Sequence, residues 1–300
     1  MMRWSNEVYQ IDIPFKLRGS KMLRFEKYQG TGNDFIIFEM SELEGLQYSL
    51  LAQNICDRRF GIGADGMIVV SPSTVASIHM IFYNADGSLA TMCGNGIRCF
   101  AKYVYDHQLV ETKVFTVETL AGILTIEMMD CEEEESFVRV NMGRPNYFDQ
   151  SVPQLESKEP FINQVIEIDK VPYTVSSLVM GTIHTVLFVD DIDENEVAHL
   201  GYAIENHPLY PLKTNVNFCK VIDSSNLEVV TWEKGVGITL ACGTGSAACT
   251  LLSQKLYDCE EKVTVHIKGG KLVMELVGDE IHMTGPATFI CKGEYLYKSR

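Results

Sequence analysis

Cys93-Gly94-Asn95-Gly96 and Cys242-Gly243-Thr244-Gly245 are two copies of one short motif, 149 positions apart in a chain of 300 residues. The correspondence spreads outward from them. Thr116-Val117 and Leu124 in the first half answer to Thr264-Val265 and Leu272 in the second at an offset of 148, and Gly122 and Glu127 answer to Gly270 and Glu275 at the same offset. Farther upstream, Thr31 and Phe38 answer to Thr182 and Val189 at an offset of 151. Landmarks at so nearly constant a spacing predict one fold unit, duplicated, with equivalent residues related by a pseudo-twofold axis. Two cysteines related in that way face one another across a cleft. The arrangement suits chemistry in which one thiol removes a proton and another delivers one.

A hydrophobic content of 46% over 300 residues supports a large core, and the length favours two domains of about 150 residues. The formal net charge of −15 argues against a nucleic-acid partner, since phosphate binding needs clustered Lys and Arg. It leaves open a small zwitterionic substrate, which senses the local site. No apolar run is long enough for a transmembrane helix, so no membrane partner is expected. The nine cysteines form no C-x-x-C, and no Cys/His spacing resembles a metal site. They read as free thiols in a reducing cytoplasm, most of them ordinary core residues. Residues 1–20 carry scattered charges and no apolar stretch, unlike a secretory signal. The fold pattern is expected to start near Met22, leaving 1–21 as an extension. The expected halves are 22–137 and 138–286, with a last strand over 287–300 returning to the first half.

Short β-rich runs dominate, interrupted by a few helical segments, which gives an α+β class. Strands are expected within 23–40, on either side of a glycine turn, and at 67–70 and 78–83. Further strands are expected at 114–118, 122–128 and 137–142. Residues 43–55 read as a helix, and 97–107 as another with apolar residues at 97, 100, 101 and 104. In the second half, 178–189, 217–221, 227–233, 263–267, 271–277 and 280–284 read as strands, with helices over 194–205 and 246–257. Glu132 to Glu135 reads as a solvated acidic turn.

Each cysteine loop sits between a strand-like run and a predicted helix. Glycines let the backbone approach a ligand closely. The helix start offers unpaired N–H groups and a partial positive charge, which can bind an α-carboxylate and lower the pKa of a cysteine placed there. A single glycine turn with an incidental buried cysteine would be unremarked; two at matched positions are not explained that way. Neither loop is a phosphate cradle: neither is a G-x-G-x-x-G opening a βαβ unit, and neither is followed by Lys-Ser/Thr. Gly61-Ile62-Gly63-Ala64-Asp65-Gly66 comes close to a dinucleotide fingerprint but precedes a strand-like run.

Over roughly residues 22–297 the chain resembles the diaminopimelate epimerase family of cofactor-independent amino-acid epimerases and racemases. The motifs that carry the resemblance are Gly30-Thr31-Gly32-Asn33-Asp34-Phe35, the segment from Gly61 to Gly66, and Asn84-Ala85-Asp86-Gly87-Ser88. They continue with Met92-Cys93-Gly94-Asn95-Gly96-Ile97-Arg98-Cys99, and with Trp232-Glu233-Lys234-Gly235-Val236-Gly237 leading to Ala241-Cys242-Gly243-Thr244-Gly245. The resemblance implies two pseudo-symmetric halves, each a mixed sheet wrapped around a central helix, with the site between them. It implies an isomerase of a small amino acid that needs no cofactor and no metal, and a homodimer as the assembly. It implies that Cys93 and Cys242 form the acid–base pair and that His184 and Glu233 support them. Asn33, Asn84, Asn215, Gly94, Asn95, Gly243 and Thr244 would bind substrate.

The chain departs from the family pattern at the end that would read the far part of diaminopimelate. Thr182-Ile183-His184 stands where Asn-Pro-His is usual, and Glu233-Lys234-Gly235 where Glu-Arg-Gly is usual. A Lys cannot make the planar two-point contact of an Arg. Thr182 and Lys234 are therefore the expected distal contacts. The expected reaction is conversion of LL-diaminopimelate to the meso form. The alternative within the class is racemisation of another amino acid, such as histidine. A non-catalytic binding protein is disfavoured because both cysteines are retained, as is an isomerase of the phenazine-synthesis type, which lacks the pair.

Overall fold

The computed structural model describes residues 20–298, apart from residue 156. The first half comprises β1 (Ser20–Gly30), β2 (Asn33–Glu39), α1 (Tyr48–Cys56), β3 (Gly66–Ser71), β4 (Ile78–Asn84), β5 (Leu89–Ala90), α2 (Gly94–Asp106), β6 (Val114–Thr119), β7 (Gly122–Cys131) and β8 (Glu135–Asn141). The second half adds one strand, β9 (Gln164–Ile168), and then repeats the order: β10 (Val171–Met180), β11 (Thr182–Phe188), α3 (Glu194–Glu205), β12 (Asn215–Asp223), β13 (Asn226–Glu233), β14 (Gly237–Ile238), α4 (Gly243–Tyr257), β15 (Lys262–Ile267), β16 (Gly270–Val277) and β17 (Glu280–Lys298).

Strand pairing closes each half on itself. In the first the circuit is β1-β2-β3-β4-β6-β7-β8-β17 and back to β1, with parallel pairs at β2–β3 and β4–β6 and antiparallel pairs elsewhere. The second runs β10-β11-β12-β13-β15-β16-β17, parallel at the equivalent pairs β11–β12 and β13–β15. Its seam is closed by the segment after β8: Met142 and Gly143 bond to Ile281 on β17, and Asn146 bonds both ways to Val179 on β10. Two strands therefore change halves. β8 runs on into the second ring, and β17 pairs with β16 over Glu280–Thr284 and with β1 over Thr288–Lys298. The structure is α+β with duplicated halves.

The central helices explain why the sheets curl. α2 is buried from Asn95 to Val104 and α4 from Gly245 to Ser253, on every face, and a helix buried all round belongs inside a core. Their side chains share one continuous apolar cluster with the ring interiors. α1 and α3 cover the outer faces, over β3–β4 and β12–β13, each with its own smaller cluster. Two charged residues of α2, Arg98 and Lys102, lie inside. Lys102, fully buried, gives its ammonium to the carbonyls of Glu132 and Glu133, to Ser136 Oγ and to Asp106. The acidic turn thus serves α2 through its backbone while its carboxylates stay in water.

Several expected boundaries move. The helix expected over 43–55 begins only at Tyr48, after a 3-10 turn over Met40–Leu43. The strand expected over 178–189 is a hairpin, broken at Gly181, whose φ of +70° few other residues adopt. Of the expected extension, residues 1–19 lie outside the described residues, whereas Ser20 and Lys21 already pair with β17. The last strand starts earlier than position 287, at Glu280, and residues 299 and 300 lie outside the described residues.

The halves meet where turns interlock. A Cβ added at Gly269 would lie 1.8 Å from the carbonyl oxygen of Thr31, and the Gly269 N–H donates to Leu240 O. That approach leaves no room for any side chain. Gly269→Ala is expected to lose about 1–3 kcal/mol of stability through overpacking. Urea unfolding checks this, and an unchanged midpoint would contradict so close a seam.

Candidate active site

The two cysteines are helix caps. Cys93 precedes α2 with extended backbone, and its Sγ accepts the Gly96 N–H at 3.5 Å. Cys242 precedes α4 in the same conformation, with Thr244 Oγ1 3.5 Å from its Sγ. The two helix starts abut: a Cβ on Gly94 would come within 3.8 Å of Gly243 Cα. A side chain at either glycine would fill the space between the two caps, and at Gly243 it would also strike Met283 Sδ, 2.8 Å away.

The surroundings of the two thiols differ. Cys93, half-buried, donates to Asn33 Oδ1 at 3.7 Å. Asn95 Nδ2 bridges from Asn33 Oδ1 to Ala241 O, 3.4 Å each, joining the first half to the loop that carries Cys242. Asn33 is held from behind by Asp65, which in turn is paired with Arg58. Asp65 lies in the Gly61 to Gly66 stretch, so that stretch supports an asparagine and does not cradle a nucleotide. Cys242 is buried and feels the charge of Glu233, whose Oε1 accepts from Thr239 Oγ1 at 2.8 Å. Burial pushes the Glu233 carboxyl above its ordinary value, with the Thr239 hydroxyl and the Cys242 thiol pulling the other way.

Helix starts were expected to depress both thiol pKa values, and burial overrides that expectation. Burial raises Cys93 and the Glu233 charge adds to it, with the Gly96 and Asn95 N–H groups, and least of all Arg98, pulling the other way. Burial and then the Glu233 charge push Cys242 up to about 12. The magnitudes explain the outcome. A helix terminus contributes about 0.3–1 kcal/mol and at most ~2, whereas desolvation can move a group by about 3–5 pH units.

His184 touches neither thiol directly. Fully buried on β11, its Nδ1 accepts from Asn217 Nδ2 at 3.2 Å, and Thr231 Oγ1 fixes that amide by donating to Asn217 Oδ1 at 2.9 Å. The proton therefore sits on His184 Nε2, which has no partner among the described residues. The network backs the first turn of α4, since a Cβ at Gly245 would lie 2.2 Å from Asn217 Oδ1. Burial lowers the His184 pKa to about 3. Asn215, the β12 partner of His184, accepts from the Lys234 N–H at 3.0 Å. Thr182 follows Gly181, whose added Cβ would lie 3.6 Å from Thr244. Lys234 is exposed at the rim. Asn84 is the outlier. Its amide donates to Ser88 Oγ at 2.9 Å and closes its own turn.

Asn217, Thr231, Thr239 and Asp65 have no expected role in the sequence. Polar residues inside strands carry no periodic signal, and only Asp65 lay in a quoted motif. A cavity of about 430 Å³ lined by Tyr103, His107, Glu26 and Glu39 lies at the far end of α2, away from both cysteines. Among the described residues no group of His, Cys, Asp and Glu is arranged to hold a metal ion, and no helix is long and apolar enough to cross a membrane.

The family model for diaminopimelate epimerase matches residues 25–148 and 176–290. The diaminopimelate epimerase of Alkaliphilus metalliredigens is 45% identical over 276 residues, covering 91% of this chain and 98% of its own. That of Caldanaerobacter subterraneus is 45% identical over 273 residues, covering 91% and 99%. Solved structures share the fold at much lower identity. A Bacillus anthracis phenazine biosynthesis protein of the PhzF family aligns with a TM-score of 0.65 at 17% identity, over 92% of this chain and all of its own. A hydroxyproline epimerase from Agrobacterium vitis, bound to trans-4-hydroxy-L-proline, aligns with a TM-score of 0.66 at 13% identity, over 93% of each chain.

A buried neutral histidine has a pH signature. The folded pKa lies below the ordinary 6.5, so the unfolded chain takes up a proton that the folded chain refuses. The stability from this group is complete above pH 6.5 and is lost as pH falls toward about 3. His184→Gln is expected to flatten the fall of the urea midpoint across that window. Parallel curves for variant and wild type would contradict the assignment.

Proposed function

This chain belongs to the diaminopimelate epimerase family, and from that premise we propose that Cys93 and Cys242 perform its reaction as an acid–base pair. The chain is an isomerase that converts LL-diaminopimelate to the meso form by inverting one α-carbon. The observation that carries the two-thiol reading is the abutment of two cysteine-capped helix starts across the pseudo-twofold axis. A substrate α-carbon between the caps meets one thiol on each face.

One thiolate takes the α-proton and the C–H electron pair stays on carbon as a planar carbanion. The other thiol delivers its proton to the opposite face, and the roles exchange for the reverse direction. The α-carboxylate lies against the N–H groups of Gly94, Asn95, Gly243 and Thr244, where two helix starts favour an anion. There it also stabilises the charge that develops on the carbanion. Asn33 takes the thiol hydrogen of Cys93 in the ground state, and Glu233 sets its carboxylate charge against Cys242. His184 stays neutral, offering its Nε2–H as a donor to the cleft. Asn84 acts through its turn, and Asn215 through its hold on the Lys234 backbone.

Lys234 and Thr182 meet the distal end of the substrate, Lys234 as a point charge for the second carboxylate. The protein works as a soluble cytoplasmic enzyme, as a homodimer, without nucleic acid. An ionised contact of about 1.5–3 kcal/mol is discounted toward its lower end at an exposed site, so about tenfold is the appropriate scale.

Steady-state epimerisation of LL-diaminopimelate tests the assignment. Cys93→Ala and Cys242→Ala are each expected to lose at least about 100-fold in kcat, the low end for a positioned general acid or base. Lys234→Ala is expected to raise KM about tenfold with kcat little changed. Near-normal turnover in either cysteine variant would overturn the pair, and an unchanged KM in Lys234→Ala would overturn the distal contact. Turnover of histidine in place of diaminopimelate would favour the alternative substrate.

A further inference from the structure

We infer that Glu205, the last residue of α3, is a positioning residue for substrate recognition: its buried carboxylate holds the turn that carries Lys234, so that this ammonium meets the distal carboxylate of diaminopimelate. The inference rests on the reading of Lys234 as the distal contact and names the group that sets it in place.

Glu205 is 3% exposed and stands at the C-terminal end of a helix, where the macrodipole favours a cation. A carboxylate buried there is costly unless donors satisfy it. Three do. Trp232 Nε1 donates to Oε2 at 2.8 Å, and Lys213 Nζ and the Gly235 N–H donate to Oε1 at 3.0 and 3.2 Å. Burial works against the charge, and those three donors more than reverse it, holding the carboxyl below its ordinary pKa. α3 lies directly on the indole, since a Cβ at Gly201 would come within 2.6 Å of Trp232 Cγ.

Trp232 and Gly235 bracket Glu233 and Lys234 in the chain. Inside that bracket the Lys234 N–H goes to Asn215 Oδ1 and the Val236 N–H to Glu233 O, 3.0 Å each, so three successive amides of the turn are held. The two nearby lysines are used differently. Lys213 is paired with Glu205, whereas the Lys234 ammonium has no carboxylate partner among the described residues. An exposed lysine is a mobile charge, and a fixed backbone lowers the ordering cost of bringing that charge to a ligand. The first half has the same brace without the charge. α1 ends at Cys56, the position 149 residues before Glu205. It holds its own turn through Gln53 Nε2 to Asp86 O and Ser49 Oγ to Gly87 O, 2.7 Å each. The position 149 residues before Lys234 is Ala85. Duplication therefore supplied a helix that braces a turn, and divergence put a cation on the turn and a carboxylate on the brace.

A brace that only stabilised the fold would leave substrate affinity alone. Glu205→Gln keeps the size of the side chain but, in either orientation, turns an amide NH2 toward at least one of the three donors. Steady-state epimerisation of LL-diaminopimelate is measured for the full-length wild type, Glu205→Gln, Lys234→Ala and the double variant. Glu205→Gln is expected to raise KM, by no more than the about tenfold expected of Lys234→Ala, with kcat little changed. In the Lys234→Ala background it is expected to add nothing, because the two changes remove one contact. Amide deuterium exchange over 232–238, measured without substrate, is expected to quicken in Glu205→Gln while exchange in the core of α4 does not. Unchanged exchange in the turn would overturn the hold. A KM that does not rise, or that rises equally with and without the Lys234 side chain, would overturn the positioning role. Should Lys234→Ala itself leave KM unchanged, the distal contact falls and the role of Glu205 with it. Failure of the brace alone looks different, with KM raised in Lys234→Ala and not in Glu205→Gln. Should Glu205→Gln not fold, Trp232→Phe, which takes one donor from the carboxylate and keeps an aromatic ring, is judged by the same outcomes.

Discussion

Two helices meet start to start at the centre of this protein, Gly94 against Gly243, and the rest of the structure serves that contact. Helix starts carry partial positive charge and orphan N–H groups, so facing two of them without an anion between is unfavourable. The rings resist it with apolar burial, each wrapping a helix that is inside on every face. Strands that change halves, β8 and β17, lock the rings together, and the Thr31 and Gly269 turns set their spacing. The result is a place where an anion is favoured from two directions, with a thiol on either side.

Symmetry supplies opposed thiols and departures from symmetry supply the chemistry. An acid–base pair needs one partner with a proton and one without. Identical environments would not specify which. Burial alone raises both thiols, and a helix terminus is too weak to reverse it. Their surroundings differ: the Cys93 thiol donates to the neutral amide of Asn33, whereas the Glu233 charge ranks next to burial in raising Cys242. His184, held neutral by burial and tautomerically fixed by Asn217, adds a donor that does not titrate near neutral pH.

The duplication was legible because turns leave letters: the Cys-Gly-x-Gly loops and the Gly122 and Gly270 hairpins occupy the same places in both halves. Boundaries set by geometry were less legible. Residues 178–189 are uniformly suited to strand, and only the positive φ at Gly181 shows the hairpin. β9 has no counterpart in the first half, so no repeat pointed to it. Arg98 and Lys102 look like the polar face of an amphipathic helix, yet both are buried because carbonyls from β17 and the acidic turn reach them. The direction of the thiol pKa values depends on burial, which local sequence does not state.

The central claim is that two groups act on opposite faces of one carbon. It is tested most directly by epimerising the LL isomer in deuterium oxide and stopping at low conversion. Two separate thiols should place one solvent deuterium at the inverted carbon of the product, while recovered substrate still carries protium there. Deuterium appearing equally in product and recovered substrate from the first turnovers would mean a single group serving both faces, and would contradict the account.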